Sequence, residues 1–426
     1  MKQAPWKLVC VDCGTQYPGL DVRYRCDCGG TLDVAHDLDA LKGCLDTSTF
    51  DLRLASRNPA DRSGVWRFRE LVLPLGPEEV MTRGEGNTNL YRSERVQNYA
   101  GLRSFRLKHE GENPTASFKD RGMTVGVTVA KKLGMDRVAC ASTGNTAASM
   151  ASYAAMAGMK AFVFIPKGKV ALGKLSQALA YGARTLQIAG DFDDAMNLVQ
   201  EVCDREGIYL LNSVNPFRIE GQKAIAFELL QDLDWEPPDW IIMPGGNLGN
   251  SSAVTKGLAE LRELGLIDRL PRVAVVQAKG ANPLYRAFVT GRDLDPLDGA
   301  ETIATAIRIG NPVSWKKSLR GIRQTHGCVT QVTDQEIMDA KAVVDAAGIG
   351  AEPASCATVA GARRLAAEGV IGPDETVCGV LTGHILKDPG AVVGYHQGSL
   401  DGIEGTFANR PIDVENDLGA ILEAIR

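Results

Sequence analysis

The sequence has no long uninterrupted apolar run of the kind that crosses a bilayer, and its first residues, MKQAPWKLVC, lack the apolar stretch of a secretory leader. It has no excess of basic charge. Lys and Arg total 47 against 52 Asp and Glu, a formal net charge of -5, which gives no electrostatic basis for binding nucleic acid or an anionic membrane. Histidine is scarce: His36, His109, His326, His384 and His396 form neither a metal-ligand pattern nor a catalytic triad. Ten cysteines in 426 residues, four of them gathered near one end, do not make a disulfide framework. These absences lead us to expect a cytoplasmic chain with reduced thiols. What remains, 44% hydrophobic and 23% charged, is the composition of a globular protein long enough for two or three domains and a large core.

The front of the chain differs from the rest. Cys10 and Cys13 form a C-x-x-C, Cys26 and Cys28 a C-x-C, and Gly14, Gly29 and Gly30 follow the pairs. Two cysteine knuckles closed by glycines suit a tetrahedral thiolate site on two short hairpins, with zinc as the ion. A stretch this short has too little core to fold alone, so a metal would supply the missing stability. A ribbon that keeps its shape by docking on the main body, with free thiols, fits the same residues. Asp12, Asp21, Asp27 and Asp33 interleave with the basic side chains, which argues against a nucleic-acid ribbon.

A polar connector follows, with a charged, helical segment, SGVWRFRELVLP, at 63–74, then a Gly-, Asn- and Thr-rich loop in MTRGEGNTNLYRSERV at 81–96. From residue 120 a rhythm sets in. Strand-like runs at 137–142, 161–166, 184–189 and 208–213 alternate with helical patterns closed by Gly158, Gly182 and Gly207. Further strands are expected at 240–246, 273–278 and 376–383. Strand and helix in alternation predict open, mostly parallel sheets with right-handed crossovers. Ligands bind such sheets at the carboxyl ends of their strands.

The chemistry-bearing residues fall at those ends. In HEGENPTASFKDRG, 109–122, Lys119 stands near the start of a helix beside Phe118. A desolvated lysine there loses preference for its charged form and becomes a nucleophilic amine able to condense with an aldehyde cofactor. Ser142-Thr143-Gly144-Asn145-Thr146 leads into an alanine-rich helix, whose amino end and hydroxyls suit a carboxylate or a cofactor hydroxyl. Gly245-Gly246-Asn247-Leu248-Gly249-Asn250 opens another helix and can wrap backbone amides around a phosphate. The lysine of a nucleotide-binding loop is absent, and so is G-x-G-x-x-G, so a phosphate monoester fits better. Thr382, in LTGH, places a hydroxyl at a third strand end. A reactive lysine, a phosphate cradle and that hydroxyl together describe a pyridoxal phosphate site.

These stretches, with LLNSVNPFRIEGQK, TAIRIGNP, AEPASCATVAG and LTGHILKDP, occur in order over residues 81 to about 390 and resemble the threonine synthase family, of the tryptophan synthase β-like (fold-type II) class of pyridoxal phosphate enzymes. The cysteine-bearing front resembles archaeal-type members. The resemblance implies two open α/β domains plus the ribbon: residues 1–45 the ribbon, 46–120 with 216–426 a large cofactor-binding domain, and 121–215 a small one. It implies that Lys119 is the Schiff-base lysine and that Asn145 bonds the cofactor's ring hydroxyl. Gly246, Asn247, Leu248, Gly249 and Asn250 would hold its phosphate, and Thr382 would meet the pyridine nitrogen. Ser142, Thr143 and Thr146 would lie near the substrate carboxylate, with Ser213 and Arg218 on the substrate phosphate. Arg308 and Asn311 match a family motif without an assigned role, and Cys356 is expected to be a buried small residue. The implied reaction converts O-phosphohomoserine and water to L-threonine and phosphate, the last step of threonine biosynthesis, in a homodimer. A cysteate synthase using phosphoserine and sulfite is the nearest alternative. Threonine dehydratase is further off, having no use for the NSVNPFR stretch. A zinc-ribbon regulator with a degenerate enzyme body is opposed by the intact Lys119 and phosphate loop.

Overall fold

A computed structural model describes residues 4–168, 172–190 and 192–426. Its strands form three sheets. β1 (Trp6–Cys10), β2 (Gln16–Pro18) and β3 (Leu32–His36) make a small antiparallel ribbon in the order β2-β1-β3. β4 (Leu90–Arg92), β5 (Ser104–His109), β10 (Trp240–Pro244), β11 (Arg272–Ala278), β12 (Cys328–Val332) and β13 (Thr376–Leu381) form a six-stranded sheet ordered β12-β11-β10-β13-β5-β4. It is parallel except at the edge strand β4. The four-stranded sheet, β6 (Arg137–Ala141), β7 (Lys160–Pro166), β8 (Arg184–Ile188) and β9 (Tyr209–Leu210), is all parallel in the order β8-β7-β6-β9. Strand β10, WIIMP, is buried at every position, the pattern of a central parallel strand covered by helices on both faces.

The expected strands are present; those at 161–166 and 273–278 end where expected, and the others end one to three residues earlier. The run expected at 208–213 pairs only over Tyr209–Leu210. Beyond it Asn212 takes over the ladder: its side chain accepts from the Ala141 amide at 2.9 Å and donates to the Ala141 carbonyl at 2.9 Å. That frees Ser213 from pairing. The helical patterns expected over 168–182 and 191–207 appear as Leu172–Ala180 and Phe192–Glu206, while residues 169–171 and 191 lie outside the described residues.

Two features differ from the sequence reading. The segment 63–74 is core: Trp66, Phe68, Leu71 and Val72 are fully buried in a short 3-10 turn and helix, and Arg67 is buried against Glu228 at 3.3 Å. Its charges are paired inside, so it reads as polar only until the partner is known. Strand β5, SFRLKH, was not anticipated, yet it lies beside β13 within the sheet. Its Lys108 is fully buried and pairs with Glu228 at 2.7 Å and Asp232 at 2.5 Å.

Candidate active site

The carboxyl ends of β5, β6, β9, β10 and β13 open onto a cavity of about 840 Å³ between the two parallel sheets. Lys119 is the first residue of the helix Lys119–Lys132 and stands in its wall. The turn before it is stitched to the end of β13. Ser117 bridges Gly383, the Phe118 amide donates to the Thr382 carbonyl at 3.0 Å, and the His384 amide donates to the Ala116 carbonyl at 3.1 Å. Ala116 holds a left-handed φ of 65°, a conformation a non-glycine residue adopts only when its surroundings enforce it.

Lys119 makes no ion pair among the described residues. Its ammonium lies 4.1 Å from the Phe118 ring centroid. Desolvation, then the nearby Arg218 charge, lowers its pKa from 10.5 to about 7, against a smaller opposing pull from Glu352. Such an amine gives up its proton far more readily than an exposed lysine. Arg218 sits in the helix Pro216–Gln222, which Asn215 caps by accepting from the Phe217 amide. Burial lowers its pKa to about 10. Its Nη1 donates to the Leu211 carbonyl at 3.1 Å, while its Nε is buried without a partner.

The glycine loop leads into the fifteen-residue helix Gly249–Glu263. Leu248 precedes it at φ 62°, so the chain turns sharply and the first helical amides, which have no intrahelical acceptor, face the cavity. A Cβ on Gly246 would come 3.1 Å from the Ala306 carbonyl oxygen, so a side chain there would crowd the 304–307 turn. Asn250 is 6% exposed, and both polar atoms of its side chain are without partners. The Asn250 side-chain nitrogen, with the free backbone amides of the helix amino end, is a donor in need of an acceptor, and a phosphate monoester supplies one. Thr382, 4% exposed, has its hydroxyl 3.1 Å from that of the fully buried Ser355. These residues fit pyridoxal phosphate: an amine, an anion cradle and a hydroxyl around one void.

All the predicted cofactor and substrate residues line this cavity: Phe118, Lys119, Ser142, Thr143, Asn145, Thr146, Ser213, Arg218, Gly246, Asn247, Leu248, Gly249, Asn250 and Thr382. Arg308 lines it too, exposed and paired with Glu301 at 3.2 Å, whereas Asn311 does not. Cys356 is fully buried and burial pushes its thiol up, so it is packing rather than a reactive group. Three wall residues were not singled out in the sequence. Buried Glu352, in AEPAS, accepts from the Asn145 side-chain nitrogen at 3.2 Å. Gln222 has a buried carbonyl oxygen without a partner. Lys387 reaches across the mouth to Gln177. An acid ahead of a proline at a helix start was the one available signal, for Glu352.

The four ribbon cysteines lie elsewhere. Their sulfurs are all within 4.8 Å of one another, with Cys10–Cys28 and Cys13–Cys26 at 3.5 Å. A zinc–thiolate tetrahedron with bonds of about 2.3 Å has edges of roughly 3.8 Å, so the cluster fits such an ion.

Residues 81–383 match the family described as pyridoxal-phosphate dependent enzyme. The chain is 47% identical over 423 residues to a threonine synthase from Methanosarcina acetivorans, covering 99% of this chain and 98% of that one. The chain belongs to the threonine synthase family of pyridoxal-phosphate dependent enzymes. A second family member, from Methanocaldococcus jannaschii, is 43% identical over 419 residues and covers 98% of both chains. Among solved structures, the threonine synthase of Escherichia coli superimposes with a TM-score of 0.70 over 98% of this chain and 99% of that chain, at 17% identity. That likeness shows a shared fold. Among the described residues, no helix is long and apolar enough to cross a membrane.

Proposed function

We propose that the chain converts O-phosphohomoserine and water to L-threonine and inorganic phosphate, as a pyridoxal phosphate-dependent carbon–oxygen lyase. The observation that carries this reading is one cavity holding a desolvated Lys119, without an ion pair among the described residues, between an anion cradle and a buried, incompletely bonded arginine. When bound, pyridoxal phosphate supplies an aldehyde for the substrate amine and a ring that takes up the charge left on proton removal. Gly246 to Asn250 would hold its phosphate, Asn145 its ring hydroxyl and Thr382 its pyridine nitrogen, with Phe118 beside Lys119. Lys119, its pKa lowered to about 7 by burial, takes the α-proton in its neutral form and returns protons along the carbon chain. Ser142, Thr143 and Thr146 orient the substrate carboxylate at the amino end of the helix Asn145–Met156. Ser213 and Arg218 bind the substrate phosphate and hold it as it leaves. The walls exclude bulk water while the β-carbon is attacked.

The deciding experiment measures phosphate release from O-phosphohomoserine alone and from O-phosphoserine with sulfite. Release from the first with threonine formed supports the reading; release only from the second makes the chain a cysteate synthase. The same reading takes the chain as a cytoplasmic homodimer divided at 1–45, 46–120 with 216–426, and 121–215. It places one zinc on Cys10, Cys13, Cys26 and Cys28. Elemental analysis should find about one zinc per chain, lost in Cys10→Ser while the cofactor's visible absorbance persists. A metal-free preparation of undiminished stability would leave the ribbon a docked, zinc-free module.

A further inference from the structure

The ribbon is far from Lys119 in sequence, yet it touches the segment that carries Ser213 and Arg218 at both of its ends. At one end the Leu210 amide, on β9, donates to the Tyr24 hydroxyl at 2.7 Å, and the Tyr24 ring leans on Tyr209 with centroids 5.8 Å apart. At the other end His36 Nε2 on β3 meets the Glu220 carboxylate at 2.6 Å, with both side chains buried. Glu220 is two residues from Arg218 in the same seven-residue helix. The contact at Glu220 is reinforced. Lys256 binds Glu220, donates to the Val34 carbonyl at 2.5 Å and pairs with Asp33 at 3.3 Å, so two groups of β3 and one of the helix share a single ammonium. Lys223 completes the set with Glu220 and Glu260 at 2.6 Å each.

Arg218 has no carboxylate partner among the described residues. One nitrogen donates to the Leu211 carbonyl, and its Nε has nothing. Its guanidinium therefore takes its position from the backbone that bears it. That backbone is pressed on one side against the helix Lys119–Lys132, where a Cβ on Gly122 would lie 2.7 Å from the Arg218 carbonyl oxygen. On the other side it is held by the ribbon. A helix this short has little stability of its own and depends on such tertiary contacts.

We propose that Tyr24 and His36 are positioning residues: the ribbon clamps residues 210–220 at both ends and so sets Ser213 and Arg218 for a phosphate group in the cavity. This rests on the reading that those two side chains bind the substrate phosphate. Neither Tyr24 nor His36 lines the cavity, so each acts only through the segment it holds. The cofactor cradle at 246–250 follows a different strand, β10, and its helix, Gly249–Glu263, keeps its own hold on β3 and Glu220 through Lys256 when Tyr24 and His36 are changed.

The test compares holoenzyme with Tyr24→Phe, His36→Ala, His36→Gln and the Tyr24→Phe/His36→Ala pair. The readouts are KM and kcat for O-phosphohomoserine, the inhibition constant of inorganic phosphate, and the cofactor's visible band. Removing the clamp should raise KM and the phosphate inhibition constant together by about tenfold in the pair, with smaller rises in each single variant. The cofactor band and its affinity should stay as in the native enzyme. His36→Gln, whose amide can still bond Glu220, should recover most of the lost phosphate affinity. Unchanged KM and phosphate inhibition in the pair would overturn the proposal, as would loss of cofactor and phosphate affinity in step, which marks general loosening. If the pair does not fold, the single variants decide by the same criteria. Native enzyme that fails to turn over O-phosphohomoserine would overturn the functional reading, and this inference with it; native turnover with indifferent variants would overturn this inference alone.

Discussion

Two regions of buried charge lie on either side of the helix Lys119–Lys132 and are built on opposite principles. Beneath it, Arg121, Lys108 and Arg67 converge on Glu228 and Glu110. Arg121 Nε lies 2.6 Å from Glu110 and its Nη2 2.8 Å from Glu228, with Lys108 2.7 Å from Glu228. These neighbours hold the Glu228 carboxyl well below its usual range and raise Arg121 above its own. At the cavity, Lys119 and Arg218 have no such partners among the described residues, and burial lowers both. A charge enclosed with its counter-charge is part of the frame. Beside the cavity the same burial serves reaction: Lys119 yields its proton more easily, and Arg218, its Nε unbonded, suits an incoming anion.

Breaking each side should therefore fail differently. Lys119→Ala should lower turnover by about 10³-fold or more, with the fold intact, because Lys387, the other lysine lining the cavity among the described residues, is bonded to Gln177 at the mouth. Borohydride reduction of the native holoenzyme followed by peptide mapping should find the cofactor on Lys119; a label on Lys108 would invert the comparison. Glu228→Ala should cost about 3–5 kcal/mol of stability by leaving three buried cations short of a partner, read as a fall in the urea midpoint. A variant as stable as the native chain would show that the paired region is not needed as frame. Arg218→Ala should spare the midpoint and lower kcat/KM by about tenfold to a hundredfold, the loss of about 1.5–3 kcal/mol of charged hydrogen bonding. Equal stability loss in the Arg218 and Glu228 variants would erase the distinction.

The smallest effect is on pH dependence. A lysine with a lowered pKa is protonated below it and neutral above it. The rate of covalent cofactor uptake by the apoprotein should thus rise with pH through about 7 and then level. A rate still climbing toward 10.5, the ordinary lysine value, would mean that Lys119 is not desolvated.

What could be read from the sequence divides along similar lines. Lys119, the 142–146 turn, the glycine loop and Thr382 are each contiguous stretches at strand ends, and the rule that parallel sheets bind at those ends gathers them without any knowledge of pairing partners. Glu352, Gln222 and Lys387 were missed because each matters only through what it faces: Asn145, an unbonded void and Gln177. The 63–74 segment was misjudged for the same reason, since Arg67 looks solvated until Glu228, 161 residues away, is brought to it. The cysteine quartet could be foreseen from spacing, and the grip of His36 on Glu220, 184 residues distant, could not.

The stitch between the Lys119 turn and the end of β13 has a mechanical consequence. Ser117, Phe118 and Ala116 are bonded to residues 382–384, so the lysine travels with the six-stranded sheet. The glycine loop follows β10 of that same sheet, whereas residues 142–146 follow β6 of the other. The cavity is thus a vice with one fixed jaw. Any displacement of the four-stranded body changes the room left for an incoming acid group while the distance from amine to phosphate cradle stays set, so substrate can be admitted and gripped without unseating what is already held.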